Sequence, residues 1–220
     1  MNPRRFLTSL LLLTAVPLLS QPKELERGPY RLNVSLERHV DGEWSQVAPG
    51  QVFESGDRVR FRVQSNFDGY LHVANQGTSG EYASLFPTDE AGADNRIVAG
   101  QEYLVPQTEG AFRITGPAGH EVVYWTATPN LSGDPAAADA PPAPAPPPPA
   151  QPPARLTPRC DETILRARGD CIDHTAGLKD PNADLRGRGL VFLKKDDDAV
   201  VAASPQLQGP VTFEFRLAHR

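Results

Sequence analysis

The residues whose chemistry is easiest to specify are the two cysteines of this chain, Cys160 and Cys171. Paired cysteines in an exported chain most simply form a disulfide, and a loop of this size contributes about 3 kcal/mol to stability by constraining the unfolded chain. The alternative is a metal site, because Cys171 and His174 have the spacing of zinc ligands. Asp170 and Asp173 lie beside them, but a second ligand pair of the usual form is missing. We therefore predict a Cys160–Cys171 disulfide and no metal or other cofactor.

Catalytic motifs are not evident in the sequence. There is no Gly-x-Ser-x-Gly element of the kind that presents a nucleophilic serine. The histidines include no helical pair spaced for zinc with a glutamate between them, and the aspartate run at 196–198 lacks the alternate ligands of a calcium loop. We predict no catalytic residues. A hydrolase whose site is assembled from scattered loops stays open as the alternative.

A candidate ligand surface lies where a polar turn meets aromatic residues. The turn runs from Gln76 to Glu81, Tyr82 follows it directly, and Tyr103 lies on a later strand. Exposed aromatic residues beside polar groups are typical of interaction sites. We predict that these four side chains contribute to a surface for an envelope protein or a polysaccharide. The net charge of −5 argues against nucleic acid as a partner.

A stripe of arginines is the other group of candidate binding residues. Arg58, Arg60 and Arg62 alternate with apolar residues and therefore share one face of a strand. Guanidinium groups in a stripe could bind an anion. Charged residues are also usual on the solvated face of a sheet, where acidic residues on neighbouring strands pair with them. We favour this second interpretation.

Strands are the elements that must carry these side chains. Short runs alternate apolar with polar residues and are separated by glycine, proline, asparagine and aspartate, which is the pattern of an all-β domain. Strands are predicted over 31–38, 58–63, 70–74, 82–86, 102–105, 111–115, 122–126, 190–193, 199–203 and 211–217. A short helix is predicted over 161–168, with Asp161 or Thr157 near its start and Gly169 as its stop.

The first 20 residues have the composition of a secretory signal peptide. Arg4 and Arg5 precede an apolar run from Phe6 to Leu19. The run is shorter than the roughly 20 apolar residues of a membrane-spanning helix, and Pro17 interrupts its end. We predict cleavage near residue 20 and a periplasmic or extracellular protein with no stable membrane span.

A Pro/Ala-rich linker is predicted for residues 131–158. Eleven of the 23 prolines lie between Pro135 and Pro158, where large apolar residues are scarce. Because proline favours an extended polyproline II chain, the densest part can act as a spacer of roughly 40 Å. The alternative is a docking ligand, since the tract contains P-x-x-P spacings that aromatic grooves recognise.

The last strand needs a sheet to join. The few apolar residues between 155 and 204 could hardly bury a second core, so we expect residues 189–220 to complete a sandwich begun by residues 28–130. The disulfide-tied segment, 159–188, then lies in an insertion with the linker. The predicted fold is an immunoglobulin-like β-sandwich with a proline-rich, disulfide-containing insertion before the last strand. A small separate C-terminal lobe is the alternative.

A succession of landmark residues resembles a known bacterial family, the domain of unknown function DUF4384. The resemblance covers roughly residues 52–128. Besides an arginine- and valine-rich strand, the landmarks are Gly56-Asp57, Gly69-Tyr70-Leu71, a turn ending at Gly80, Leu85-Phe86-Pro87, Asn95, Ala99-Gly100, Val105-Pro106, Phe112 and Pro117-x-Gly119-x-Glu121.

The resemblance implies a setting for the protein but no reaction. Members of this family are typically envelope or secreted proteins, often with caspase-like peptidase or protein-kinase domains beside them, and the domain itself has no established catalytic role. No peptidase or kinase part is recognisable in this chain. We therefore expect an exported, non-catalytic β-sandwich module that binds or scaffolds in the cell envelope. A secreted hydrolase or an enzyme-accessory domain is the alternative.

Overall fold

The computed structural model describes residues 30–88, 92, 94–107, 110–130, 157–179, 190–195, 198–203 and 210–220. For 190–195 and 198–203 it describes the backbone pairing only. The predicted signal peptide and almost all of the predicted proline linker lie outside these ranges. Among the helices within them, none is long and apolar enough to cross a membrane.

The described chain consists mostly of β-strands and contains one short helix. The strands are β1 (Tyr30–Val40), β2 (Glu43–Val47), β3 (Val52–Phe53), β4 (Arg58–Ser65), β5 (Gly69–Gln76), β6 (Tyr82–Phe86), β7 (Arg96–Ile97), β8 (Glu102–Val105), β9 (Phe112–Arg113), β10 (Gly119–Pro129), β11 (Gly177–Lys179), β12 (Leu190–Lys195), β13 (Asp198–Ala203) and β14 (Val211–His219). The helix α1 spans Glu162–Arg168. The all-β prediction is confirmed.

The strands form two seven-stranded sheets. Sheet I has the order β12-β13-β1-β4-β8, with β2 beside β1 and β9 beside β4. Sheet II has the order β11-β14-β10-β5-β6, with β3 beside β14 and β7 beside β5. All pairings are antiparallel except that of β3 with β14, which is parallel.

The two sheets share one apolar core because their strands alternate in side-chain direction. In sheet I, the ring of Phe61 on β4 lies 5.2 Å from the ring of Trp125 and 5.0 Å from that of Phe215, which belong to sheet II. Trp125 also stacks on Phe213, with ring centroids 5.5 Å apart. All four rings are almost fully buried. The sheets therefore pack face to face through aromatic side chains.

Strand β14 lies inside sheet II, although the proline-rich insertion separates it from β10 in the sequence. It pairs with β10 from Val211 opposite Ala127 to His219 opposite Gly119. Its alternating residues Val211, Phe213, Phe215 and Leu217 are buried in the shared core. The last strand thus completes the sheet that β5 and β10 begin.

The disulfide prediction is confirmed, since Cys160 and Cys171 are bonded to each other. Helix α1 lies between them. Asp161 caps its start by accepting hydrogen bonds from two backbone amides, and Gly169 ends it in the left-handed conformation at φ 80°. Because both cysteine sulfurs are bonded, neither is available as a thiolate ligand, and the described residues contain no metal-binding cluster of histidine, cysteine and carboxylates.

The disulfide-tied segment packs against the edge of sheet II. Its strand β11 pairs with β14, and Ile172 forms a bridge with Gln51. The amide of Val52 donates to the carbonyl oxygen of Cys171 at 2.9 Å. A small apolar cluster of Val52, Ala218 and both cysteines fills the contact.

Several short strands differ from the sequence expectation. No strand was predicted at the positions of β2, β3, β7 or β11. The two-residue strands β3 and β7 are too short for a periodic pattern. Pairing with other strands fixes their conformation. Strand β3 pairs with β14, which is distant in the sequence, and β7 pairs with β5, from which it is separated by β6 and a polar loop.

The core position of β14 yields a stability prediction. Phe215→Ala removes a fully buried ring that contacts Phe61, so the free energy of unfolding should fall by about 3–5 kcal/mol. Thr212→Ala, at an exposed position of the same strand, should change it by less than about 0.5 kcal/mol. Urea unfolding followed by circular dichroism measures both. Equal effects of the two substitutions would contradict the core position of β14.

Candidate binding surface

The structure brings together three of the four side chains predicted for the ligand surface. Gln76 ends β5 and Tyr82 begins β6, and the two residues lie directly opposite each other in the hairpin register. Glu81 lies beside them and is exposed. These three residues are close because a single tight turn joins their strands.

Tyr103, the fourth predicted residue, lies elsewhere. It belongs to β8 of sheet I and lies opposite Val63 in register. Its ring packs edge-on against Phe86 with centroids 5.9 Å apart, and its hydroxyl oxygen accepts a hydrogen bond from the amide of Val98 at 2.8 Å. Burial raises the pKa of its hydroxyl. These contacts tie Tyr103 into the sandwich, away from Tyr82.

Tyr124 is the residue that sequence reasoning left unassigned. The sequence places Tyr124 and Trp125 on opposite faces of one strand, and the structure buries Trp125 in the core. Tyr124 therefore lies on the outer face of sheet II, where its hydroxyl donates to Oε1 of Gln76 at 3.1 Å. Its ring centroid is 6.5 Å from that of Tyr82, with the rings tilted by 36°.

Two charged residues of β14 continue this face. Glu214 lies opposite Tyr124 in register, and Arg216 donates to the Glu214 carboxylate at 3.1 Å. We call the group formed by Gln76, Tyr82, Tyr124, Glu214 and Arg216 the tyrosine surface. Glu214 and Arg216 form an ion pair within it, and Lys179 of β11 lies opposite Glu214 in register at its edge.

The phenol groups of the tyrosine surface remain protonated at neutral pH. Burial raises the pKa of Tyr82, and burial together with the Glu214 carboxylate raises the pKa of Tyr124 to about 12. Neither phenol is therefore suited to act as a base or nucleophile. The surface can stack against a ligand and exchange hydrogen bonds with it.

The arginine stripe lies on the outer face of sheet I, and two of its members are paired as expected. Arg60 and Arg62 both donate to the Glu37 carboxylate, and Arg62 also bonds Glu102. Burial by itself raises the pKa of Glu37, but the hydrogen bonds from the two arginines hold it below its ordinary value. The guanidinium of Arg60 also lies 4.1 Å from the ring centroid of Trp44.

A second polar feature lies at one end of sheet II. It comprises four titratable residues, His120, Glu121, Asp173 and His219, which are each 3% exposed or less. We call this group the buried polar cluster. Since ionisable side chains are rarely so completely buried unless they are paired, their partners decide what the cluster does.

The outer half of the cluster fastens the disulfide-tied segment to β10. Asp173 accepts hydrogen bonds from the amide and hydroxyl of Thr175 at 2.7 and 2.6 Å and from the amide of Arg159 at 2.8 Å. The Nε2 atom of His120 lies 3.4 Å from the Asp173 carboxylate and 3.2 Å from the Thr175 hydroxyl. Both groups meet the same ring nitrogen, so the imidazole cannot relay a proton between them as in a catalytic triad.

The inner half of the cluster faces the core. Glu121 accepts a hydrogen bond from the side-chain Nδ2 of Asn75 at 3.0 Å, and its carboxylate lies 3.9 Å from Nε2 of His219. The same nitrogen is 3.5 Å from the hydroxyl of Thr78. Burial raises the pKa of Glu121, while burial and the nearby His120 lower that of His219. Both side chains are therefore held towards their neutral forms.

The class of protein follows from this arrangement. Two sheets on one apolar core, with a polar aromatic surface on the outside of one of them, define a β-sandwich module. Residues 52–130 match the family model described as a domain of unknown function, DUF4384, which confirms the resemblance drawn from the landmark residues. No curated protein and no solved structure matched the chain.

Only part of the tyrosine surface lies within the segment that matches the family model. It begins at β3 and ends after β10, so it contains Gln76, Tyr82 and Tyr124. Glu214 and Arg216 lie on β14, outside the matched segment. The surface is thus built jointly by the matched segment and by the C-terminal strand.

The lowered pKa of His219 yields a prediction of pH-dependent stability. As the pH falls below 6.5, the unfolded chain binds a proton that the folded chain excludes, so the free energy of unfolding should decrease between pH 7.5 and pH 5.5. The raised pKa of Glu121 acts in the opposite sense, because its contribution is present at low pH and is lost as the pH rises.

A single substitution isolates the contribution of His219. His219→Gln should reduce the loss of stability on acidification, measured by thermal unfolding at several pH values. His39→Gln serves as the control, because it replaces a histidine of sheet I that packs against Trp44 and lies outside the buried polar cluster. A pH profile of the His219 variant that parallels that of the unmodified chain would contradict the assignment.

Proposed function

We propose that this chain is an exported, non-catalytic β-sandwich module that binds a component of the cell envelope through its tyrosine surface. The observation that carries the proposal is the pair of Tyr82 and Tyr124 on an outer sheet face, with the Tyr124 hydroxyl fixed by Gln76. Tyrosine combines a large apolar ring with a polar group and is therefore frequent at binding interfaces. A fixed ring loses little conformational freedom when a ligand binds.

A polysaccharide is the ligand class that this surface favours. The two rings offer apolar faces for stacking against sugar rings, and the Glu214–Arg216 pair offers donors and acceptors for hydroxyl groups. Gln76 is buried and acts indirectly, by holding the Tyr124 hydroxyl. The surface lies on a sheet face rather than in a cleft, which suits an extended chain more than a small molecule.

The non-catalytic part of the proposal is supported by the positions of the histidines that contact carboxylates in the sandwich. His120 and His219 are both at most 3% exposed. A general base must reach the proton of a bound substrate, and neither imidazole is accessible for this. The exposed His174 also contacts a carboxylate, that of Asp161 at 2.8 Å, but Asp161 is the cap of α1 and accepts from the backbone amides of Thr163 and Ile164.

Export is supported by two independent features. The N-terminal sequence has a basic start followed by a short apolar run, as signal peptides do. The Cys160–Cys171 disulfide is of a kind that persists in oxidising compartments such as the periplasm or the extracellular space. We propose that the mature protein acts in one of these two compartments.

We also propose that the sandwich is immunoglobulin-like. The order β1-β4-β8 in sheet I corresponds to strands A, B and E of an immunoglobulin domain. The order β14-β10-β5-β6 in sheet II corresponds to strands G, F, C and C′. On this correspondence the insertion lies between F and G, and the β12–β13 hairpin extends sheet I beyond strand A.

Co-sedimentation with purified peptidoglycan tests the proposed function. Tyr82→Ala should weaken binding about 30-fold, corresponding to the roughly 2 kcal/mol of an interface hot spot. Tyr124→Phe keeps the ring but removes the hydroxyl that holds Gln76, and should have a smaller effect of the same sign. Trp44→Ala is the control, because it alters an aromatic residue of sheet I.

A parallel pull-down from envelope proteins completes this test. The unmodified chain could fail to bind peptidoglycan and instead capture a protein that the Tyr82 variant does not capture. That result would support the tyrosine surface as the binding site but would show that its ligand is a protein. Equal binding by the Tyr82 and Trp44 variants in both assays would overturn the proposal. Circular dichroism confirms that each variant is folded.

A further inference from the structure

Arg58 and Arg113 form a cationic pair on the outer face of sheet I, and no carboxylate among the described residues is ion-paired with either of them. Arg58 begins β4 and Arg113 ends β9, and the two residues lie directly opposite each other in the antiparallel register. Both are exposed. Residues in such a pair have Cβ atoms about 4.5–5.5 Å apart, so the two guanidinium groups can reach the same point above the sheet.

This pair differs from the rest of the arginine stripe. Arg60 and Arg62 have carboxylate partners in Glu37 and Glu102. Within the described part of the chain, Arg58 has no ion pair, and the guanidinium of Arg113 donates to the carbonyl oxygen of Gly56 at 3.4 Å. The expected pairing with acidic neighbours therefore holds for Arg60 and Arg62 but does not extend to Arg58.

Two carboxylates close to Arg58 in the sequence are bonded to other groups. Asp57, adjacent to Arg58 in sequence, is bonded to the guanidinium of Arg38 at 2.8 Å and to the amide of Glu54 at 2.8 Å. The carboxylate of Glu54 is bonded to Arg220 at 2.7 Å. Both acids are thus already engaged with other groups.

The two guanidinium groups both carry a positive charge and therefore repel each other. Like charges directly across an antiparallel pair are destabilising, and arginine cannot relieve this by losing its proton. A bound anion would remove the repulsion. Each guanidinium is a planar fork of donors, so two of them are best matched by a group with at least three acceptor oxygens.

From these observations we propose that Arg58 and Arg113 bind a phosphate group. A phosphate offers enough oxygens to accept from both forks at once, whereas a single carboxylate has only two. The group can be free phosphate or a phosphate carried by a sugar. The site lies on sheet I, so it is separate from the tyrosine surface and does not depend on the function proposed for sheet II.

Titration with inorganic phosphate at constant ionic strength tests the proposal. Amide chemical shifts of residues 57–59 and 112–114 should change in a saturable way, and Arg58→Gln or Arg113→Gln should weaken the binding about tenfold or more. Arg166→Gln is the matched control, because it removes the same charge from α1, where Arg166 pairs with Glu162. It should leave the phosphate affinity unchanged.

Thermal stability gives a second readout, because Arg58→Gln should affect the Tm differently without and with phosphate. Without phosphate, Arg58→Gln should raise the Tm slightly because the repulsion is removed. With phosphate, the Tm of the unmodified chain should rise, while that of the variant should not. Equal phosphate responses of the Arg58 and Arg166 variants would overturn the proposal.

Further titrations identify the form of the ligand and its specificity. Glucose 6-phosphate should bind if a phosphate carried on a sugar fits the site, and binding of inorganic phosphate alone would assign the site to the free anion. Acetate should bind more weakly than either, because it offers two acceptors. An acetate affinity equal to that of phosphate would overturn the assignment to a phosphate group.

Discussion

The pairing of β14 with β10 is the interaction on which the rest of this structure depends. Without β14, strand β10 would be an edge strand, and the core would lose Phe213, Phe215 and Leu217. Strands β3 and β11 both pair with β14, so the disulfide-tied segment would also lose its main attachment to the sandwich. The tyrosine surface requires the same strand, because β14 supplies its two charged residues.

The buried polar cluster shows how this attachment is made specific. A buried polar group without a partner costs roughly 1–3 kcal/mol, so such groups are retained where their contacts are met. Asp173 meets this condition through three hydrogen bonds within the disulfide-tied segment, and it thereby presents its carboxylate to His120 on β10. Apolar contact around the cysteines alone would hold the segment less specifically. The disulfide shapes the segment, and the polar contacts fix where it docks.

Sequence patterns predicted the long strands and the helix caps because these features are local. Alternation identified β1, β4 and β14, and Asp161 and Gly169 marked the ends of α1. The same locality placed Gln76 and Tyr82 together, since one hairpin turn joins them. Tyr103 could not be placed in this way, because its surroundings depend on pairing with Val63 and on packing across the sheets. The short strands β3 and β11 depend on β14 and leave no periodic signal.

The two outer faces of the sandwich differ in how their charges are compensated. On sheet II, Glu214 and Arg216 neutralise each other beside tyrosines whose hydroxyls stay protonated. On sheet I, compensation through Glu37 ends before Arg58, which faces Arg113 instead. An aromatic face with an internal ion pair and a face with two opposed arginines differ in chemistry, and the shared aromatic core separates them. The scaffold role proposed above requires two such distinct faces, because one module must then contact two partners at once.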